Sequence, residues 1–255
     1  MTCNAILSSD SLRVPTLSAF ALTAAALVWS YHTSLRQHGF DLPSVVLWAW
    51  ERPEDLHFID PQRTSVAFLA ATASISANGS VWFQPRMQRL QLPATAAVLA
   101  VVRIASPPRH ENVQTQALIS GIREIAGLPN VRGVQIDFDA RSSERNFYRA
   151  LLRDVRMQTD KPIGVTALAS WCIGDRWLDG EPIVEAVPMF FRMGRKESRD
   201  VTPESSVCRS SMGLSMDEPW PARRPAGIDR IYLFSPHAWT EGDYRAALRR
   251  IQDWK

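Results

Sequence analysis

Two aspartates one residue apart close a strand-like run, Val131-Arg-Gly-Val-Gln-Ile-Asp-Phe-Asp139. Side chains alternate across a strand, so Gln135, Asp137 and Asp139 share one face while Val134, Ile136 and Phe138 share the other. Buried acids are costly unless they are hydrogen-bonded or used. In parallel α/β folds they are tolerated at the carboxyl ends of strands, where active sites sit. Mutual repulsion raises the proton affinity of one member of such a pair. A protonated acid and an ionised carboxylate flanking one bond are what glycosidic hydrolysis requires. The plainer reading of the same residues is an Asp pair that caps a loop or pairs with an Arg.

The surrounding chain must supply the frame for these acids. Eight apolar runs recur: Val45–Trp50, Val66–Ala71, Ala97–Ile104, Val131–Phe138, Ile163–Ala169, Ala186–Arg192, Met212–Met216 and Arg230–Phe234. They are mostly continuous rather than alternating, which is the pattern of buried parallel strands. Amphipathic helices are predicted at Gln114–Ala126, ending at Gly127, and at Ser143–Met157, with Ser143 as cap and Phe147, Leu151, Leu152 and Val155 as the apolar stripe. A third, Glu241–Trp254, follows the cap candidate Thr240. Asn78-Gly79 reads as the turn of a β-hairpin, and Gly194–Ser211 as an irregular loop. The expected fold is an α/β, TIM-like (β/α)8 barrel with degenerate helices over residues 43–255. An open doubly wound sheet is the alternative, although no G-x-G-x-x-G follows the first strand.

In such a barrel the strand ends form the mouth. The catalytic candidates are Asp137 and Asp139, with Glu51 or Glu218 across from them. The candidates for holding a substrate are Gln135, Arg103, Trp171, Arg192, Asp217, His237 and Trp239. Alternation on the first strand puts Leu47, Ala49 and Glu51 on one face and Trp48, Trp50 and Arg52 on the other. Small Ala49 suits a crowded interior, so Glu51 is expected to point inward and the two tryptophans outward, into packing. No metal and no cofactor is expected.

A net charge of +3 with scattered arginines and no dense basic run gives no support to a nucleic-acid partner. Nine tryptophans are many for 255 residues, and tryptophans at loop ends often line sugar clefts. After a short arm, residues 1–13, no residue from Val14 to Tyr31 is charged. The stretch 14–35 is therefore expected to be an uncleaved transmembrane or signal anchor, with the domain outside the cytoplasm. In that oxidising space Cys172 and Cys208 could bond. In a regular barrel, however, Cys172 follows one strand and Cys208 precedes another, which would leave them at opposite ends.

Five blocks in order, Leu47-Trp-Ala-Trp-Glu-Arg-Pro-Glu-Asp-Leu56, Val134-Gln-Ile-Asp-Phe-Asp-Ala140, Thr166-Ala-Leu-Ala-Ser-Trp-Cys172, Glu185-Ala-Val-Pro-Met-Phe-Phe-Arg-Met-Gly194 and Ser215-Met-Asp-Glu-Pro-Trp220, resemble the uncharacterised bacterial family DUF3142. The resemblance runs from about residue 43 to the end and implies a bacterial envelope protein; with the apolar segment 14–35 the expectation is an inner-membrane anchor and a domain in the periplasm. The fourth strand is also similar to that of family 18 chitinase-like glycoside hydrolase barrels, which end it in D-G-x-D-x-D-x-E. That resemblance implies Asp139 at the catalytic Glu, Asp137 at the preceding Asp, and Gln135 where another Asp is usual. Asp139 is one methylene shorter than Glu, and Gln135 cannot share a proton with Asp137. The expectation is a membrane-anchored protein that binds or cleaves a glycan. The competing class is a non-catalytic envelope module binding a polysaccharide or partner protein.

Overall fold

The computed structural model describes residues 39–106, 112–193 and 202–254. The expected N-terminal arm and anchor lie outside them, as does most of the first half of the Gly194–Ser211 loop. Among the described residues no helix is long and apolar enough to cross a membrane.

Eight parallel strands close into a barrel. They are β1 (Val45–Ala49), β3 (Thr64–Ile75), β6 (Val98–Ala105), β7 (Val131–Asp137), β8 (Ile163–Leu168), β9 (Glu185–Met189), β10 (Ser211–Ser215) and β11 (Arg230–Phe234), and β1 pairs with both β11 and β3 to complete the ring. β4 (Val81–Pro85) folds back antiparallel on β3 through the Asn78-Gly79 turn, where Gly79 takes the left-handed φ of 84° and Asn78 Oδ1 accepts the Ser80 amide at 3.1 Å. Two short strands, β2 (Glu54–Asp55) and β5 (Leu90–Gln91), pair with each other outside the ring.

Among the described residues only two connections carry an α-helix, α1 (Thr115–Ala126) before β7 and α2 (Arg145–Gln158) after it; α3 (Glu241–Asp253) follows the last strand. Leu118, Ile119 and Ile122 of α1 and Tyr148, Leu151, Leu152 and Val155 of α2 are buried against the outward side chains Val102, Ile104, Val134 and Ile136. Thr240 caps α3 as expected, accepting from the Asp243 amide at 3.1 Å. Ser143 does not cap α2. It lies inside a 3₁₀ turn, Ser142–Glu144, and Glu144 instead accepts the Arg141 amide at 2.9 Å.

Where helices are missing, other devices cover the strands. After β8 the chain makes a π-turn, Trp171–Asp175, that buries Trp171 and Cys172 outside the barrel. The segment entering β10 runs beside it, with Glu204 and Ser205 both donating to the Cys172 carbonyl. This detour cancels the distance that a regular barrel would impose, and Cys172 and Cys208 are disulfide-bonded with their Cα atoms 5.8 Å apart.

The barrel interior is apolar in the middle: Val46, Trp48, Ala67, Leu69, Leu99, Val101, Val187 and Tyr232 meet Phe40 there. Leu47 and Ala49 instead pack outward with Met212, Leu214, Tyr244 and Ala247. The expected phase of the first strand is therefore reversed. Phe40 closes the floor beneath β7 and β8, where Cβ atoms on Gly133 and Gly164 would come within 2.3 Å and 2.7 Å of its ring. Glycines on these two strands make room for the Phe40 ring.

Candidate functional site

β7 behaves as its alternation demands. Val134, Ile136 and Phe138 join the helix-side core, while Gly133, Gln135 and Asp137 face the interior in ascending order. Gln135 is fully buried, and neither amide atom has a protein partner among the described residues. One layer higher Asp137 ends the strand, and Asp139 follows in the open. Both line a cleft of about 440 Å³ with Ser74, Arg103, Ser106, Arg141 and Glu144.

The register fixes what stands around Asp137. Thr72 on β3 pairs with Arg103 on β6, and Arg103 pairs with Asp137 on β7. On the far side, Thr166 of β8 donates its hydroxyl to Asp137 Oδ1 at 2.6 Å. Burial pushes the Asp137 carboxyl above its ordinary value of 3.8. The Thr166 hydrogen bond works against this, the charge of nearby Asp139 adds to it, and Arg103 offsets part of it. Directly behind β7, burial, with Asp137 and Asp139 adding to it, raises the Tyr148 phenol well above 10.0, and that phenol donates to the Ile136 carbonyl at 3.3 Å.

Aromatic side chains ring the mouth. The Arg103 guanidinium lies 5.6 Å from the Trp50 ring, and Phe191 stacks on Phe234 at 5.5 Å between centroids. Arg192 covers Phe234 at 5.5 Å from a left-handed backbone, φ 53°, and its amide donates to Glu218 Oε1 at 2.9 Å. Asp217 accepts from the Ser215 hydroxyl. Glu51 is exposed just past β1, with Oε1 3.5 Å from the Thr72 hydroxyl, so it stands at the rim even though its strand has the opposite phase. The Arg86 guanidinium braces this edge on the Ala49, Trp50 and Arg52 carbonyls, and burial lowers its pKa.

Other expected site residues belong elsewhere. Trp171 is buried outside the barrel against Trp177, with ring centroids 5.0 Å apart, because the π-turn carries it away from the mouth. Trp239 is buried too. Its indole donates to the Trp48 carbonyl at 3.1 Å and its amide to Glu54 Oε2 at 2.9 Å, so it locks a loop. His237 is exposed, with Nδ1 3.1 Å from the Ala238 carbonyl and 3.8 Å from Asp243, at the start of the C-terminal helix. Sequence reasoning missed Thr166, Trp50 and Phe234. A threonine in an apolar run on the strand after Asp137 was the available signal for the first.

Among the described residues no group of three His, Cys, Asp or Glu side chains is placed to hold a metal ion. The arrangement can do proton chemistry. It has one carboxyl with raised proton affinity, a second carboxylate two residues on, a third at the rim, and polar and aromatic walls. No family model, curated protein or solved structure matches this chain.

Proposed function

We propose that this barrel binds a glycan at its mouth and hydrolyses it, with Asp137 as the general acid and Asp139 as the carboxylate that assists water. The observation that supports this best is the state of Asp137. It ends a barrel strand in an open cleft, burial raises its pKa, and among the described residues its side-chain hydrogen bond comes from a neutral hydroxyl. An Asp kept only for structure would be expected to pair closely with a cation. In the reaction Asp137 gives its proton to the glycosidic oxygen as the C–O bond breaks, water adds to the anomeric carbon, and Asp139 takes the proton that water loses. Glu51 is the alternative base. Thr72, 3.5 Å from Glu51 Oε1, stands two strand spacings from Asp137, roughly 10 Å, which supports Glu51 in that role.

The same reading includes the envelope location implied by the apolar N-terminal stretch and by the resemblance to DUF3142. The stacked Phe191 and Phe234 and the Trp50 ring favour a second, simpler reading, a module that only binds. Reducing-end release from soluble β-linked polysaccharides, measured beside binding, separates the two. Asp137→Asn and Asp139→Asn are expected to bind as the parent does and to lose at least a hundredfold in turnover. Turnover that survives both substitutions would refute the assignment. Binding without turnover in the parent chain would leave the binding module.

A further inference from the structure

The β3–β4 hairpin continues the site beyond the barrel. A bulge between Leu69 and Ala71 changes which residues of β3 face the mouth. Below it Ala67 and Leu69 point inward. Above it Ala73 and Ile75 pack outward against the helices, leaving Thr72 and Ser74 on the cleft side. Side chains directly opposite each other on antiparallel strands share a face, and Thr72 pairs with Gln84 and Ser74 with Trp82. On the other face Phe83 packs against Gly121 of α1. Trp82 therefore stands on the cleft face with 72% of its surface exposed, the largest exposed aromatic among the described residues.

We infer that Trp82 is a stacking platform for a distal ring of an extended neutral glycan whose scissile bond lies at Asp137. This rests on the reading of the mouth as a glycan site and names the class of substrate: a chain rather than a mono- or disaccharide. Three features carry it. First, the surface is continuous, since Ser74 lines the same cleft as Asp137 and Asp139. Second, its chemistry matches: Thr72, Ser74, Gln84 and Trp82 offer hydroxyls, an amide and an indole but no charge, and Glu51 beside Thr72 can accept from sugar hydroxyls. Third, its length fits. Asp137, Arg103, Thr72 and Gln84 lie in one row across three strand spacings, roughly 14 Å, which is longer than a disaccharide reaches.

The test is calorimetric titration of the full chain with a glucose disaccharide and hexasaccharide and with an N-acetylglucosamine disaccharide and hexasaccharide, all β-1,4-linked, against the parent, Trp82→Ala and Asp137→Asn. A hexasaccharide is expected to bind at least tenfold more tightly than its disaccharide. Trp82→Ala should remove roughly that tenfold and leave disaccharide binding unchanged. Trp82 is exposed, so the variant should fold with an unchanged Tm. Hexasaccharide binding that Trp82→Ala does not touch would overturn the platform and leave the mouth reading standing. Failure of all four sugars to bind would overturn both. A parent chain that self-associates in sedimentation, with a mass that falls on Trp82→Ala, would assign the indole to a second copy instead.

Discussion

Two acids inside one barrel have different surroundings. Glu185, at the floor end of β9, is 1% exposed; its Oε2 accepts from the Arg230 guanidinium at 2.9 Å and from the Tyr232 phenol at 3.0 Å. Arg230 also donates to the Phe40 carbonyl at 2.8 Å, so this acid, through its partner, ties the entering chain to the barrel. Asp137, at the mouth end of β7, has a neutral hydroxyl as its hydrogen-bond partner and opens on a cleft. A buried carboxylate with a cation and a phenol on it holds structure together. One buried beside a second carboxylate has its proton affinity raised, and the Thr166 hydroxyl and Arg103 offset part of that rise. The difference lies in the partners that the neighbouring strands supply, and it is what the proposed role of Asp137 rests on.

The largest effect should come from the floor. Arg230→Ala leaves the Glu185 charge buried without its cation and unties Phe40, and should cost about 3–5 kcal/mol in denaturant unfolding. A loss below 1 kcal/mol would mean that the floor acid is not structural, and the contrast would collapse. Next comes the side of the barrel where the described residues include no α-helix. Replacing Cys172 and Cys208 together with serine removes a link closing a sequence separation of 36 and should cost about 3–4 kcal/mol relative to the oxidised parent. An unchanged unfolding midpoint on reduction would show that packing alone holds the π-turn.

The smallest effect on stability, and opposite in sign, is expected at Asp137. Its folded pKa lies above the ordinary 3.8, so the folded state binds the proton more tightly than the unfolded chain does. That contribution is fully present below the unfolded value and is lost as pH rises through the folded one, leaving an unfavourable ionised group at neutral pH. Asp137→Asn should therefore raise Tm at neutral pH. The gain should shrink as pH falls toward 3.8. A variant that melts lower than the parent at neutral pH would make Asp137 a structural acid like Glu185.

The contrast also shows what could be read along the chain. On β7, polar and apolar side chains alternate, so the faces of Gln135, Asp137 and Ile136 follow from sequence alone. The run around Trp48 is apolar on both faces. Period two then divides it into two sets without saying which set faces the axis, and the size argument for Ala49 chose wrongly. The interior cluster settles it: Val46 and Trp48 pack there with Phe40, whose ring takes the space left by the glycines at 133 and 164.

Local pattern thus determined the eight strands, the two helices flanking β7, the hairpin turn, the capped last helix and the acidic strand end, because each depends on residues within one element. Tertiary structure decided the phase of β1, the bulge that turns Thr72 and Ser74 to the cleft, the π-turn that removes Trp171 from the mouth and brings Cys172 to Cys208, and the partners of Glu185 and Asp137. Each of these depends on residues far apart in sequence that meet only when the barrel closes, and a one-dimensional pattern has no period that records them.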